Sequence, residues 1–514
     1  MSTGYPKTSI NILSATTDVS NSEQKILFIG QKTASGTATS STLITDIQND
    51  KSWDTLFGSN SMLAGMIRVA RSINTVNRID AIALDDDGGA TAATATIDLT
   101  GTATASGTII FDIISSKDYR FSLPVSSTDT GTALASSLVS LINANVNIPV
   151  TASSSTTTVT LTADNGGTEA NNFALAYSGS VSGIVTTLTG FTGGATDPST
   201  TGITDLIGNT RYQAIVSPYA YGTTYLTDLL DSRFNVTNNI LDGVAFVTQT
   251  DSVSNIKTFA NTQNSNSLVI FSHISADNDN LKGSIYVEAP YNISSYFAAV
   301  RSFRLTDGTD ISDFVTTTSA LDTFGGVATA SLPYFNTPFT QLIPCDSSLS
   351  LTDTEIEELT ESGASVFQNN VTNTDVIFGQ MVTTYKTDSA GNDDISFKYL
   401  NYVDTSSNAR EYQFNNIKKD FSQSRLTDNG NSLVPYRSIS NSDLIESAFV
   451  GYYATLSSDS YVLTRAGDIS TKFYKDNLSI TIDLSTGTAT VLQKVPIVTQ
   501  LRNIVSTFQL QFNI

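Results

Sequence analysis

At 514 residues the chain exceeds what one hydrophobic core can organise, which points to about three domains. Only 15% of its residues are charged, and Asp and Glu outnumber Lys and Arg by 48 to 27, a net charge of -21 that argues against gripping nucleic acid through its phosphates. Cys345 is the only cysteine, so an intrachain disulfide framework is excluded.

In chain order, residues 1–24 hold little that is apolar, apart from Ile10 and Ile12 alternating with Ser9 and Asn11. The opening residues show no basic stretch followed by an apolar one, and no run of about 18 or more apolar residues occurs anywhere. The expectation is therefore a protein made and kept in the cytosol without membrane insertion. Residues 25–30 form an apolar run ended by a glycine, read as a buried strand. Across 53–71, Met62, Leu63, Met66, Ile67 and Ala70 recur at helical spacing, with Ser59 or Ser61 as cap and Arg68 and Arg71 on the other face. A second strand at 79–84 stops at Asp85-Asp86-Asp87-Gly88-Gly89, completing a strand–helix–strand unit.

Composition shifts at Ala90. From there to about Thr196 the chain is Thr, Ala, Ser and Gly, with strand-like runs at 95–99, 108–114, 118–123 and 156–162 and a helix at 133–142. Because the α/β pattern then resumes, the segment reads as an inserted β-rich domain whose ends lie close together. Strands follow at 213–217, 244–248 and 267–273, alternating with helices at 224–233 and 253–261, the pattern of a largely parallel sheet covered on both faces. After Pro344, a helix is predicted over 354–368, strands over 376–386 and 396–404, and a hairpin of 479–484 with 488–494 turning at Gly487.

The last residues alternate strictly. Phe508, Leu510, Phe512 and Ile514 point one way, and Thr507, Gln509, Gln511 and Asn513 the other. A strand with few neighbours of its own is a template for pairing with another chain. Together with Ile10 and Ile12, it describes a subunit that interlocks with copies of itself by adding strands to a neighbour's sheet. The fold class is thus α/β and β-rich multidomain: an N-terminal arm (1–24), a core in two parts (25–89 and 197–344), an inserted β-rich outer domain (90–196), a C-terminal inner α+β domain (345–505) and a terminal strand arm (506–514).

Four stretches carry a family resemblance. They are the strand at 25–30 leading to LFGSNSMLAGMIR at 56–68, the inserted Thr/Ala/Gly-rich segment, ELTESGAS at 358–365 followed by TTYKTDSAGN at 383–392, and the terminal strand. Taken together the chain resembles the contractile tail sheath proteins of bacteriophages, close to the Mu-like sheath family. One departure is that residues 12–19 lack the Arg-Val-Pro-Gly stretch the family often carries. The resemblance implies a mechanical, non-enzymatic protein of the virion, assembled in the host cytoplasm as stacked six-membered rings around a tail tube. It further implies contacts with tube, baseplate and tail terminator proteins, strand exchange through the arms, and contraction that drives the tube through the host envelope without nucleotide hydrolysis. Such a machine needs an interface with two stable packings.

No residue set competes as a catalytic centre. His273, the single histidine, closes a strand and lacks a convergent nucleophile or metal set. Cys345 reads as a small buried residue. Residues 30–36 resemble a phosphate loop but lack the Gly-Lys-Ser/Thr ending. Asp85, Asp86 and Asp87 read as a solvated linker rather than a cation site, and no cofactor is implied. Lys418, Lys419 and Arg425 form a modest basic group, a candidate contact with a tube or a neighbouring subunit, set against a plain solvated loop. Two other readings are an adhesive, glycan-binding surface protein built on the inserted domain and an α/β hydrolase or transferase.

Overall fold

The computed structural model describes residues 23–114, 119–220, 222–234, 240–274, 289–306, 334–335, 337–338, 350–372, 374–428, 439–458 and 467–496. The chain enters as β1 (Lys25–Gln31), followed by the short β2 (Thr42–Ile44), α1 (Ser52–Phe57), α2 (Met62–Ile73) and β3 (Arg78–Leu84). Sequence periodicity suggests one helix over 53–71, but the structure has two. Gly58 breaks it at φ +87°, and α2 restarts where the Ser61 hydroxyl accepts from the Ala64 amide. Arg71 also departs from expectation. It is buried and donates to the carbonyls of Asn74, Asn77 and Ile47, so it closes the C-terminal end of its helix instead of facing solvent.

Residues 94–192 build two antiparallel sheets of their own. The strands are β4 (Thr94–Gly101), β5 (Gly107–Ile113) and β6 (Arg120–Val125), then, after α3 (Gly131–Asn143), β7 (Val150–Ser155), β8 (Thr158–Ala163), β9 (Leu175–Ser178) and β10 (Ile184–Thr192). Their orders are β10-β4-β8-β7 and β6-β5-β9. At the neck of the segment Thr91 and Ala195 exchange both backbone hydrogen bonds, at 3.0 and 3.1 Å.

The chain then returns through α4 (Ile203–Ile207), β11 (Ala214–Val216), α5 (Thr224–Phe234), β12 (Val244–Asp251), α6 (Val253–Asn261), β13 (Leu268–Ile274), α7 (Pro290–Thr306), α8 (Asp353–Ser362) and β14 (Ala364–Ser365). These complete a seven-stranded sheet of order β14-β13-β12-β11-β1-β3-β2, parallel except for β2. Alternate strand residues feed two cores. Ile26, Phe28, Phe246 and Phe271 pack with α2 and α7 on one face, and Leu27, Ile29, Val247 and Ile270 with α4, α5, α6 and α8 on the other. Burial on both faces is why these strands are continuous apolar runs.

The remaining elements are β15 (Phe367–Asn369), β16 (Val376–Phe378), α9 (Leu400–Phe421), β17 (Arg425–Leu426), β18 (Ile439–Ser440), α10 (Ser442–Ser458), α11 (Gly467–Asp476), β19 (Ser479–Asp483) and β20 (Thr488–Leu492). Three expectations are corrected. The helix predicted to reach residue 368 ends at Ser362, because Gly363 takes φ +91° and turns the chain into β14. The strand predicted over 376–386 stops at Phe378. The strand predicted over 396–404 gives way to α9, whose polar residues find partners in the core.

Candidate interaction surface

Helix α9 carries the C-terminal region and is bolted to the sheet by buried charge. Asp404 accepts from Arg301 of α7 at 2.5 Å and from the Tyr334 hydroxyl at 2.6 Å, while Arg301 also donates to the Gln213 carbonyl at 2.7 Å. One helical turn on, Ser407 donates to Asp242; a further turn on, Glu411 accepts from Arg211 at 2.7 Å. Asp404, Ser407 and Glu411 are spaced to lie on one face; Asp404 and Glu411 are buried and Ser407 is half-buried. Burial pushes the Tyr334 hydroxyl well above its usual range, reinforced by the neighbouring Asp404 charge, so it stays a donor.

Beyond this bolt lies the hairpin of β19 and β20, paired Ser479 to Leu492 and Asp483 to Thr488. Its turn needs Gly487 at φ +67° and is closed by the Asp483 carboxylate, which accepts from the Ser485 amide at 2.8 Å and hydroxyl at 2.6 Å. The hairpin foot is held by Gln493, which exchanges amide hydrogen bonds with Gln413 of α9 at 2.8 and 3.1 Å and accepts from Tyr474 at 2.6 Å. Tyr474 stacks on Tyr453 with centroids 4.1 Å apart. Ile480, Ala489 and Val491 face Ile445, Phe449 and Tyr452 of α10, and Leu492 is 67% exposed. Among the described residues neither hairpin edge has a partner strand, which leaves two rows of backbone donors and acceptors open.

Between hairpin, α9 and α10 opens a cavity of about 660 Å³, with apolar walls from Ile417, Phe421, Leu426, Ile445, Phe449 and Val491. Arg425 stands at its rim and is exposed. Lys418 and Lys419 are exposed in the last turn of α9, with the Lys418 ammonium 4.2 Å from the centre of the Phe414 ring. Arg425 thus lines the groove, while Lys418 and Lys419 lie on the same turn of α9 as its lining residues Ile417 and Phe421 without lining it themselves. The arm residues Ile10, Ile12, Phe508, Leu510, Phe512 and Ile514 lie outside the described residues, as does Cys345.

The chemical candidates among the described residues have these surroundings. His273 is buried near the end of β13, 3.0 Å from the Thr250 hydroxyl. The loop at 30–36 spends its amides on protein: Thr33 donates to the Phe57 carbonyl at 2.9 Å and Gly36 to the Thr33 carbonyl at 3.0 Å. Asp85 pairs with Lys32 at 2.8 Å, and Asp86 accepts from Gln31, Asn165 and Gly166, so these exposed carboxylates are more engaged than a solvated linker would be. No cluster of three or more potential metal ligands occurs among the described residues, and no described helix is long and apolar enough to cross a membrane.

No family model matches the chain. It is 25% identical over 442 residues, 84% of its own length and 82% of the relative's, to the Mu-like prophage FluMu tail sheath protein of Haemophilus influenzae. This chain resembles the Mu-like tail sheath proteins. Among solved structures it is similar to a sheath tail protein from Desulfitobacterium hafniense, at TM-score 0.45 and 10% identity, covering 96% of this chain and 100% of that one. It is also similar to a sheath tail protein from Listeria innocua, at TM-score 0.45 and 12% identity over 93% and 92% of the two chains. The helical sheath of the anti-feeding prophage in its contracted state gives TM-score 0.44 and 11% identity, with 99% of each chain covered.

Proposed function

We propose that this chain is the structural subunit of a contractile phage tail sheath and a component of the virion. The observation that carries the reading is the similarity to the Haemophilus tail sheath protein along 84% of the chain. In this reading subunits stack as six-membered rings around a tail tube, meet the baseplate at one end and a terminator at the other, and contract to drive the tube through the host envelope. The seven-stranded core with its C-terminal region faces inward, and residues 90–196 form the outer inserted domain. The open edges of the β19–β20 hairpin receive the arms of neighbouring subunits. Phe508, Leu510, Phe512 and Ile514 supply an apolar face that suits the groove lined by Phe421, Phe449 and Val491, and Ile10 and Ile12 supply a second strand. Strand addition keeps subunits linked by main-chain hydrogen bonds while their bodies rotate. Lys418, Lys419 and Arg425 meet a tube or a neighbour. The force comes from the free-energy difference between two packings of one lattice.

Negative-stain electron microscopy of the purified chain at raised concentration tests this. Tubes or stacked rings of sixfold symmetry are expected, and deletion of residues 508–514 should leave a folded monomer that no longer polymerises. Dispersed monomers at every salt concentration, persisting on co-expression with a tail tube protein, would overturn the reading.

A further inference from the structure

In open α/β sheets, ligands bind outside the carboxyl ends of the strands where the strand order reverses, with an anion on the N-terminus of the following helix. Here the order reverses between β1 and β11, and the helix that follows β1 on this side is α2. That crevice is filled by the chain itself. Asn165, 7% exposed and lying just after β8, accepts from the first amide of α2, Met62, at 2.9 Å through its side-chain carbonyl. Its side-chain amide donates to the Lys32 carbonyl at 3.0 Å and to Asp86 at 3.1 Å. The next residue, Gly166, donates its amide to Asp86 at 2.8 Å and accepts from the Gln31 amide group at 2.7 Å, while the buried Tyr219 hydroxyl holds Gln31 at 3.1 Å. Gly166 has no room for a side chain, since a Cβ would lie 2.8 Å from that of Ala90. Asn60 and Asp164 add a flanking bond at 2.9 Å.

We propose that Asn165 is the clasp that fixes the 94–192 segment on the core sheet, by seating a side-chain amide where sheets of this kind take a ligand. Three elements converge on one buried amide: the end of β1, the linker after β3 and the start of α2. All of its hydrogen-bonding groups are used, and an unmatched group there would be costly. The two-stranded neck at Thr91 and Ala195 alone would act as a hinge. The clasp meets this neck in space, since Gly167 donates to the Thr91 carbonyl at 3.0 Å, and braces it against the core. The Phe173 ring 6.3 Å from Tyr291 of α7 and the Ser59 hydroxyl donating to the Val146 carbonyl at 2.8 Å complete the seat, so segment and core turn as one body. This inference does not depend on the proposed function.

The test uses the full chain at a concentration where it is monomeric. In Asn165→Ala, the Met62 and Gly166 amides should exchange with solvent roughly tenfold faster, as expected for loss of one buried polar anchor. Amides within β4, β8 and β1 should keep their rates. Spin labels at Val185→Cys and Val76→Cys, in a Cys345→Ser background, should give a broadened distance distribution in Asn165→Ala relative to the parent; both positions are exposed, at 63% and 69%. Asn165→Asp keeps the acceptor for Met62 but sets a carboxylate against Asp86. It should therefore leave the Met62 amide protected while speeding exchange at Gly166. An unchanged distance distribution, or equal acceleration of the β4 and β8 amides, would overturn the proposal.

Discussion

The seven-stranded core and the β19–β20 hairpin are built on opposite terms. Core strands such as β1, β12 and β13 are buried on both faces and flanked on both sides. The hairpin has two strands, a single packed face and, among the described residues, two open edges. An isolated pair of strands is marginal in water and gains from further strands. The core is therefore braced on every side by its own chain, whereas the hairpin leaves backbone groups open that the proposed strand addition would complete. In the proposed sheath, such a rigid body with an open socket would suit a lattice with two packings.

The seam between them is the most sensitive place to strike. Asp404→Ala leaves Arg301 buried beside Tyr334 with its charge unmatched, and should destabilise the chain by about 3–5 kcal/mol. Urea denaturation would show it as a lower midpoint. A shift under about 1 kcal/mol would mean that water or a relaxed Arg301 replaces the carboxylate, and the two regions are joined more loosely than the distances indicate.

A smaller and more local effect is expected at the hairpin turn. In Gly487→Ala the new methyl meets nothing within 4 Å, so the penalty is that of the backbone at φ +67° alone, about 1–2 kcal/mol. Hydrogen exchange should rise in residues 479–492 and not in β12. If the whole molecule loosened, hairpin and core would be one cooperative unit and the contrast between them would fail.

Smaller again on stability is Leu492→Lys. The side chain is 67% exposed on an open strand, so the monomer should change by within about 0.5 kcal/mol. Polymerisation followed by light scattering should nonetheless require a higher protein concentration. Equal polymerisation by parent and variant would place the contact surface elsewhere on the C-terminal region.

How much of this could be read from the sequence follows from the same contrast. β1, β3, β12 and β13 announced themselves as apolar runs because both faces are buried. The hairpin was legible through alternation and Gly487. α9 was not: Phe397, Tyr399, Tyr402 and Val403 look like a strand, and the residues that decide for a helix are Asp404, Ser407 and Glu411, polar groups whose partners lie far away in Arg301, Asp242 and Arg211. α7 escaped for a related reason, being buried almost all round and so lacking a polar face to set a period. β7 and β10 are rich in Ser or Thr and β9 is only four residues long, so pairing rather than composition defines them. Of the candidate surface, the basic residues were visible in sequence. The groove beside them was not, since it is assembled from α9, α10 and the hairpin.

The finest test of the contrast is the pH response of the turn. Ser485 and Thr486 hydrogen bonds hold the Asp483 carboxyl down to about 2, from an ordinary 3.8, with the Ser485 hydroxyl contributing most. A carboxyl lowered in the folded state stabilises that state fully above 3.8, and the contribution fades as pH falls towards 2. Above that window the turn should therefore be indifferent to pH. An NMR titration of the Ser485 and Thr486 amides should be flat from neutral pH down to about 4 and show its midpoint near 2. Asp483→Asn should abolish that step while leaving the core strands untouched. A midpoint at the ordinary carboxylate value would mean that the free subunit does not hold the turn closed.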